Sequence, residues 1–140
     1  MTMIIVSACL AGVRSRFDGT SSPCQIVEDL VRRAKALPLC PEQLGGLPTP
    51  RDAAERVGDK VLTKQGEDVT EEYRRGAEEI LRIARLVDCR DAILRSLSPS
   101  CGSGEIYDGS FTGRLVTGDG VLAELLKANG IKVHTEWDVW

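Results

Sequence analysis

The sequence predicts an α/β fold: a doubly wound, mostly parallel sheet of about four to five strands, with helices on both faces and a small hairpin. Short apolar runs, typical of buried parallel strands, alternate with longer segments of helical periodicity. This alternation requires right-handed crossover connections between parallel strands. The 140 residues suffice to bury a sizeable core, so we expect a single domain over residues 1–140.

The N-terminal segment predicts a strand followed by a helix. Residues 4–8 form an apolar run rich in β-branched side chains, as in a buried strand. A polar loop follows and leads to a predicted helix over residues 22–33. Ser22 fits its N-cap, Pro23 fits its first position, and Gln25 completes a capping box.

The next segment predicts a second strand, a loop and a hairpin. Residues 34–39 are apolar and form the strand. Residues 41–55 contain three prolines and a Gly-Gly pair, so we expect an ordered loop without regular structure. A small hairpin is predicted over residues 56–63, turning at Gly58-Asp59.

The second half of the chain predicts two further strand and helix pairs. A helix begins at Asp68 as its N-cap and carries apolar residues at helical spacing. Residues 92–97 form the third strand, and a glycine-rich loop follows. A helix beginning near Val121 ends at Asn129-Gly130, and residues 131–134 form the final strand.

Composition argues against several classes of partner. The chain has 18 basic and 21 acidic residues and a net charge of -3, with no basic tract, so we expect no nucleic-acid partner. No apolar run approaches the roughly 18 residues that a membrane span needs, so we expect no membrane association. The first residues contain no basic segment of the kind that opens a signal peptide, and we expect a cytoplasmic protein.

Cysteine placement predicts a site at one edge of the sheet. The chain has five cysteines, an odd number without secretory context, which favours metal or thiol chemistry over a disulfide framework. Cys9, Cys40 and Cys101 each follow one of the predicted strands. The carboxyl ends of parallel strands share one edge, where open α/β sheets bind ligands, so we expect these three side chains to converge.

The residues alone leave the nature of this site open. Three thiolates suit either zinc with a fourth ligand or an iron–sulfur cluster, and three buried core cysteines are an equal alternative. Paired C-x-x-C motifs are absent, and His134 is the single histidine available as a fourth ligand. Cys24, in the first turn of the predicted helix, and Cys89, before the third strand, are interpreted as structural.

Four further residues are candidates because of their position beside these cysteines. Glu42 lies two residues after Cys40, where a carboxylate with a raised pKa acts as a general acid or base; otherwise it is a solvated loop glutamate. Ser98 and Ser100 either donate to a ligand or cap the loop backbone. Arg51 either receives an anionic group of a substrate or is an ordinary surface arginine.

Several motifs carry a resemblance to a known family over residues 4 to about 136. The chain resembles the bacterial family catalogued as domain of unknown function 523, whose characterised members are similar to thiouracil desulfidases. The motifs are Ser7-Ala8-Cys9-Leu10, the segment CPEQLGGLPTPR at 40–51, SPSCG at 98–102, Ile106-Tyr107-Asp108-Gly109 and Gly118-Asp119-Gly120-Val121.

The resemblance implies a [4Fe-4S] cluster held by Cys9, Cys40 and Cys101, with one iron left open. That iron is expected to bind the sulfur of a small thiocarbonyl compound such as 2-thiouracil. Water then replaces the sulfur and sulfide is released, without net redox change. Glu42 is implied as the proton-transfer residue and Ser98 as its assistant.

In this hypothesis, Ser100 and Arg51 are expected to bind the substrate. Two other functions remain open. The alternatives are a non-catalytic iron–sulfur or sulfide-binding module, acting as sensor or carrier, and a metal-free persulfide sulfurtransferase that uses Cys101 or Cys24. An aerobically prepared sample can lack the cluster, because air oxidises cluster ligands.

Overall fold

Strands and helices alternate along the chain in a computed structural model that describes residues 2–138. A short 3-10 helix, Ala8–Ala11, continues directly from the first strand. In chain order the elements are β1 (Ile4–Ser7), α1 (Gln25–Arg32), β2 (Ala36–Leu39), α2 (Pro41–Leu44), β3 (Ala54–Val57), β4 (Lys60–Thr63), α3 (Thr70–Leu86), β5 (Asp91–Leu94), β6 (Glu105–Tyr107), β7 (Leu115–Thr117), α4 (Val121–Ala128) and β8 (Lys132–Thr135).

Four of the strands form one parallel sheet in the order β2-β1-β5-β8. Ile5 of β1 pairs with Leu37 of β2 on one side and with Ala92 of β5 on the other. The chain therefore winds in one direction from β1 to β2 and in the opposite direction from β5 to β8. The predicted doubly wound parallel sheet is confirmed, and its switch point lies between β1 and β5, the place where such sheets bind ligands.

Helices cover both faces of this sheet, as predicted. Neighbouring residues of a strand point to opposite faces, and both faces are apolar here. Ile5 and Leu94 pack with residues of α3 and α4. Val6 and Ile93 pack on the other face with Val27 of α1. This arrangement holds β1 and β5 rigidly at the centre of the molecule.

The prediction that residues 41–55 lack regular structure was wrong at both ends. The segment begins with α2 and ends in β3. Pro41 occupies the first turn of α2, where its missing N–H costs no hydrogen bond. The helix then packs closely on α3, where a Cβ atom at Gly45 would lie 1.9 Å from the backbone oxygen of Glu72, and one at Gly76 would lie 1.8 Å from that of Pro41. Glycine at both positions allows the two backbones to touch.

Helix α1 begins later than the sequence indicated. The predicted cap at Ser22 is wrong, because the N–H of Ser22 binds the carbonyl of Cys9 and that of Cys24 binds the carbonyl of Leu10. These bonds keep the segment extended, so Cys24 becomes the N-cap and does not lie in the first turn.

Two strands are shorter than predicted, for related reasons. Strand β2 starts at Ala36 because Ala34 has a φ of +57° and closes the end of α1. Strand β5 ends at Leu94 because the N–H of Arg95 turns to the side chain of Ser7. Both differences lie at strand ends, which sequence patterns locate poorly.

Two antiparallel hairpins accompany the main sheet. The predicted one is confirmed as β3 and β4, which pair from Ala54 with Thr63 to Val57 with Lys60. The second, β6 with β7, lies in the stretch that was predicted to be a glycine-rich loop. β6 and β7 have only three residues each, too few for a pattern of apolar residues to indicate a strand, although Leu115 and Val116 of β7 are apolar.

Within residues 2–138, no helix has the length and apolar character needed to cross a membrane. Near the C-terminus, the side chain of Trp137 is 68% exposed, so it is not docked against the body of the protein. Trp140 lies outside the described residues.

Candidate active site

A cavity of about 390 Å³ opens at the carboxyl edge of the main sheet, and Cys9, Cys40 and Cys101 all line it. Cys9 follows β1, Cys40 follows β2, and Cys101 belongs to the loop after β5. The cavity therefore lies at the switch point of the sheet, and its volume falls in the range of roughly 300–1,000 Å³ found for small-ligand sites. The predicted convergence of the three side chains on one site is present.

Local backbone structure positions each cysteine separately. Cys9 is buried in the 3-10 helix, which ends at Gly12 with a φ of +88°. Cys40 has extended backbone between β2 and α2 and is the N-cap of α2. Cys101 is held by Ser98, whose Oγ accepts its N–H at 2.9 Å. All five cysteines of the chain have free thiols.

Burial determines the protonation of the three thiols. It raises the pKa of Cys9 from 9.0 to about 11, although the nearby guanidinium of Arg95 opposes the shift. Burial also raises the pKa of Cys40, and it raises that of Cys101 well above 9.0, with the charge of Glu42 adding to both shifts. Metal binding at this site therefore has to displace protons from the thiols.

Glu42 lies inside the cavity wall rather than on a solvated loop. Its Oε1 is 3.8 Å from the Sγ of Cys40, and its Oε2 is 3.7 Å from Nη2 of Arg51. Its side chain is only 12% exposed. Burial raises the pKa of Glu42 and the positive charge of Arg51 opposes this, so the raised value leaves the carboxyl group suited to proton transfer.

Arg51 lines the cavity, but its guanidinium forms hydrogen bonds with other residues of the protein. Nη2 donates to the carbonyl of Ser15 at 3.0 Å, and Nη1 donates to Oγ1 of Thr49 at 3.0 Å and to the carbonyl of Pro48 at 3.3 Å. The side chain is 7% exposed, so Arg51 is not a surface arginine. It ties the loop after α2 to the loop after β1 and places a positive charge beside Glu42.

The two candidate serines of the SPSCG segment occupy different environments. Ser98 lines the cavity, and its Oγ accepts the N–H groups of Ser100 and Cys101, which is the loop-capping alternative. Ser100 is fully buried and is not among the residues that line the cavity. Its Oγ has no hydrogen-bond partner among the described residues. Gly120 packs against Ser100, since a Cβ there would lie 2.4 Å from the Ser100 carbonyl.

Several polar residues of the cavity were not recognised as site residues from the sequence. Ser7, at the end of β1, donates from Oγ to the Sγ of Cys101 at 3.3 Å. Arg95 donates from Nη1 to Ser96, and its Nε is buried without a partner among the described residues. Glu55 of β3 and Tyr73 of α3 also line the cavity. Ser7 carried one signal, because it lies two residues before Cys9 at the end of a strand.

The remaining candidates lie away from the cavity. Cys24 packs against the core on the α1 face of the sheet. Cys89 is a buried core residue, as predicted, and its Sγ lies 3.2 Å from the carbonyl of Asp91. His134 places Nε2 at 3.0 Å from Oδ1 of Asp91 and does not line the cavity. The histidine is thus not available as a fourth ligand beside the three cavity cysteines.

The donor set of the cavity fits a cluster better than a single metal ion. Over residues 2–138, no group of three or more His, Cys, Asp or Glu side chains is arranged to hold one ion. A cubane binds each thiolate through a different iron, so its three ligands need not meet at one point. Three thiols around one cavity, with the Ser7 hydroxyl directed at one of the sulfurs, provide such a set.

Comparisons with known proteins agree with this geometry. The model of a family described as 2-thiouracil desulfurase matches residues 4–138. The uncharacterized protein YbbK of Bacillus subtilis (strain 168) is 44% identical over 144 residues, which cover 96% of this chain and 95% of that protein. A solved structure of the [4Fe-4S]-dependent thiouracil desulfidase TudS (DUF523Vcz) is 45% identical, has a TM-score of 0.94, and covers 99% of this chain and 93% of its own. The resemblance to the domain of unknown function 523 family and the α/β fold are both confirmed.

Proposed function

This chain belongs to the 2-thiouracil desulfurase family, and on that premise we propose that it is a [4Fe-4S]-dependent desulfidase. It replaces the sulfur of a small thiocarbonyl compound, such as 2-thiouracil, with oxygen from water and releases hydrogen sulfide, with no net change of oxidation state. The observation that carries the proposal is the single cavity that Cys9, Cys40 and Cys101 share with Glu42.

The three cavity cysteines are the proposed ligands of the cluster. They lie after β1, after β2 and in the loop after β5, and the sheet holds these segments around one cavity. When bound through three thiolates, a [4Fe-4S] cluster supplies one iron without a protein ligand, a soft Lewis acid suited to a thiocarbonyl sulfur. Burial of the thiols limits water at the site and strengthens electrostatic interactions within it.

Glu42 is the proposed proton-transfer residue. Hydrolysis of a C=S bond consumes one water, and both protons of that water must leave its oxygen and reach the departing sulfur to form hydrogen sulfide. The carboxyl group of Glu42 lies in the cavity wall, close to the sulfur of Cys40, with a pKa raised by burial. Such a group can take up and return a proton within the cavity. Arg51 holds it in place and limits the rise of its pKa.

Ser98, which also lines the cavity, is proposed to assist Glu42. Its Oγ accepts two backbone N–H groups, so its own proton is available for donation into the cavity. The proposed substrate role of Arg51 is indirect, since its guanidinium already binds Ser15 and Thr49. Ser100 is buried and packs against Gly120, and this contact supports the loop that carries Cys101.

Metal-free sulfur transfer is less well supported by the same residues. A persulfide-forming cysteine attacks as a thiolate, and burial raises the pKa of Cys101 well above 9.0, which keeps it protonated at neutral pH. Cys24 does not line the cavity.

We further propose that the protein works in the cytoplasm on a small thiolated substrate and releases sulfide there, a setting that suits its five free cysteines.

The test combines cluster analysis with turnover. The anaerobically reconstituted protein is expected to bind four irons and four sulfides and to convert 2-thiouracil to uracil and sulfide. Glu42→Gln is expected to retain the cluster and to lose activity by roughly 100- to 10,000-fold, the range for loss of a general acid or base. The matched control is Glu71→Gln, which changes an exposed acid of α3 and should leave turnover unchanged.

Other outcomes identify the alternatives. A stable cluster without any sulfide release would favour a sensor or carrier module. Transfer of sulfane sulfur from a thiosulfate or persulfide donor by protein that binds no iron, with a persulfide detected on a cysteine, would favour the sulfurtransferase. Ala variants of Cys9, Cys40 and Cys101 should each lower the iron content, whereas Cys89→Ala should not.

A further inference from the structure

Ser7 forms a hydrogen-bond relay between the backbone of one strand and the sulfur of Cys101. Its Oγ accepts the backbone N–H of Arg95 at 2.9 Å and donates to the Sγ of Cys101 at 3.3 Å. Ser7 is 4% exposed and Cys101 is 3% exposed, so water competes little for either bond. The relay joins the ends of the two strands that flank the switch point of the sheet.

The direction of the Ser7 proton follows from this geometry. A hydroxyl has one proton to donate and lone pairs that accept. Since the Arg95 N–H is itself a donor, it occupies an acceptor position of Ser7 Oγ and leaves the proton for the sulfur. The main sheet holds both Ser7 and Arg95, because Ser7 is the last residue of β1 and Arg95 follows β5 directly.

The three proposed ligand sulfurs consequently differ in their surroundings. Cys101 receives a hydrogen bond from a hydroxyl group. The Sγ of Cys40 instead faces two acceptors, the carbonyl of Ser15 and Oε1 of Glu42, each at 3.8 Å. Among the described residues, Cys9 has no hydroxyl at its sulfur. One of the three thiolates is therefore singled out for stabilisation of its negative charge.

We propose that Ser7 is a positioning residue that tunes the cluster through Cys101, an inference that rests on the proposed function. A hydrogen bond to a ligand sulfur draws electron density away from the iron and raises the reduction potential of a cluster. An iron cluster with less electron-rich thiolates is also a stronger Lewis acid for a thiocarbonyl sulfur. Ser7 thus adjusts the reactivity of the site through the sulfur of Cys101.

The test measures the reduction potential of the reconstituted protein by anaerobic redox titration. Ser7→Ala is expected to hold a full cluster with a lower potential than the wild type, and Ser7→Thr, which keeps the hydroxyl, should restore the potential. Ser15→Ala is the matched control, because Ser15 is also a buried cavity serine but its Oγ donates to the carbonyl of Val13 at 3.4 Å and, among the described residues, to no sulfur. Its potential should equal that of the wild type.

A second measurement needs no variant. Exchange of the wild-type protein into D2O should shift an iron–thiolate stretching band in the resonance Raman spectrum, because the Ser7 proton becomes a deuteron. A Ser7→Ala potential equal to that of the wild type, or a Raman spectrum that D2O leaves unchanged, overturns the inference. A wild-type protein that binds no cluster instead contradicts the proposed function, and the inference with it.

Discussion

Replacement of Gly76 by alanine is expected to destabilise the protein, although it lies in the middle of a helix. Alanine in a helix interior is normally more stable than glycine by roughly 0.5–1 kcal/mol. At this position, however, the new Cβ would lie 1.8 Å from the carbonyl oxygen of Pro41. Both groups belong to backbones, so neither can rotate away, and α2 must move from α3.

The two effects can be compared in magnitude. Overpacking in a well-packed interior costs typically 1–3 kcal/mol, and a contact with rigid backbone belongs near the upper end. After subtraction of the gain in helix propensity, we expect a loss of about 2 kcal/mol in the free energy of unfolding. For a chain of 140 residues, this corresponds to a fall of about 7 °C in Tm. The shift of α2 also carries Cys40 and Glu42 away from the cavity.

The assay is urea and thermal unfolding of Gly76→Ala beside the wild type, followed by measurement of the iron bound after reconstitution. Glu79→Ala, an exposed substitution on the same helix, controls for changes in helix propensity and should alter Tm little. A Gly76→Ala variant that is as stable as the wild type, or more stable, would refute the reasoning. It would mean that α2 and α3 separate at no cost.

Three further predictions concern other parts of the fold. Gly120→Ala should lower the iron content, because its Cβ would lie 2.4 Å from the Ser100 carbonyl and displace the loop of Cys101; normal iron binding contradicts this. Glu55→Ala should expose residues 109–111 to proteolysis, since Oε1 of Glu55 accepts two N–H groups of that loop, and Glu55→Gln should protect it. Burial alone would raise the pKa of Asp119, but hydrogen bonds from Lys127 and Gly104 lower it below 3.8. Ionised Asp119 therefore stabilises the folded state above pH 3.8, and this stabilisation is lost as the pH falls through the lowered pKa. Asp119→Asn should therefore cost about 1 kcal/mol at pH 7 in denaturant unfolding and less near pH 3, and a cost independent of pH contradicts this.

The sequence predicted the main sheet because its signals are local. Apolar runs such as the one at residues 4–8 mark strands that are buried on both faces, and both faces of β1 are covered by helices. The hairpin formed by β6 and β7 escaped prediction because each strand has only three residues, too few for a periodic pattern to indicate a strand. Helix α2 escaped because prolines and glycines indicate a loop, whereas here Pro41 begins the helix and Gly45 packs on α3.

The candidate site was predicted in part. Strand ends located Cys9, Cys40 and Cys101, and adjacency located Glu42. Adjacency did not distinguish Ser98 from Ser100, because two serines separated by one proline face different surroundings. The position of a residue in the sequence indicates whether it lies near the edge of the sheet, but it does not indicate in which direction its side chain points.

By itself, the sequence determined the α/β class, the parallel strands, the family and the three cysteines at strand ends, since all of these follow from local patterns and motifs. Tertiary structure alone decided what surrounds them. It buried the cysteines and Glu42 and so raised their pKa values, and it occupied the guanidinium of Arg51 with loop groups. It also brought the hydroxyl of Ser7 to a sulfur 94 residues away in the chain. The reason is physical: pKa values and hydrogen-bond partners depend on distances between residues far apart in sequence, which the packing of the two faces of the sheet sets.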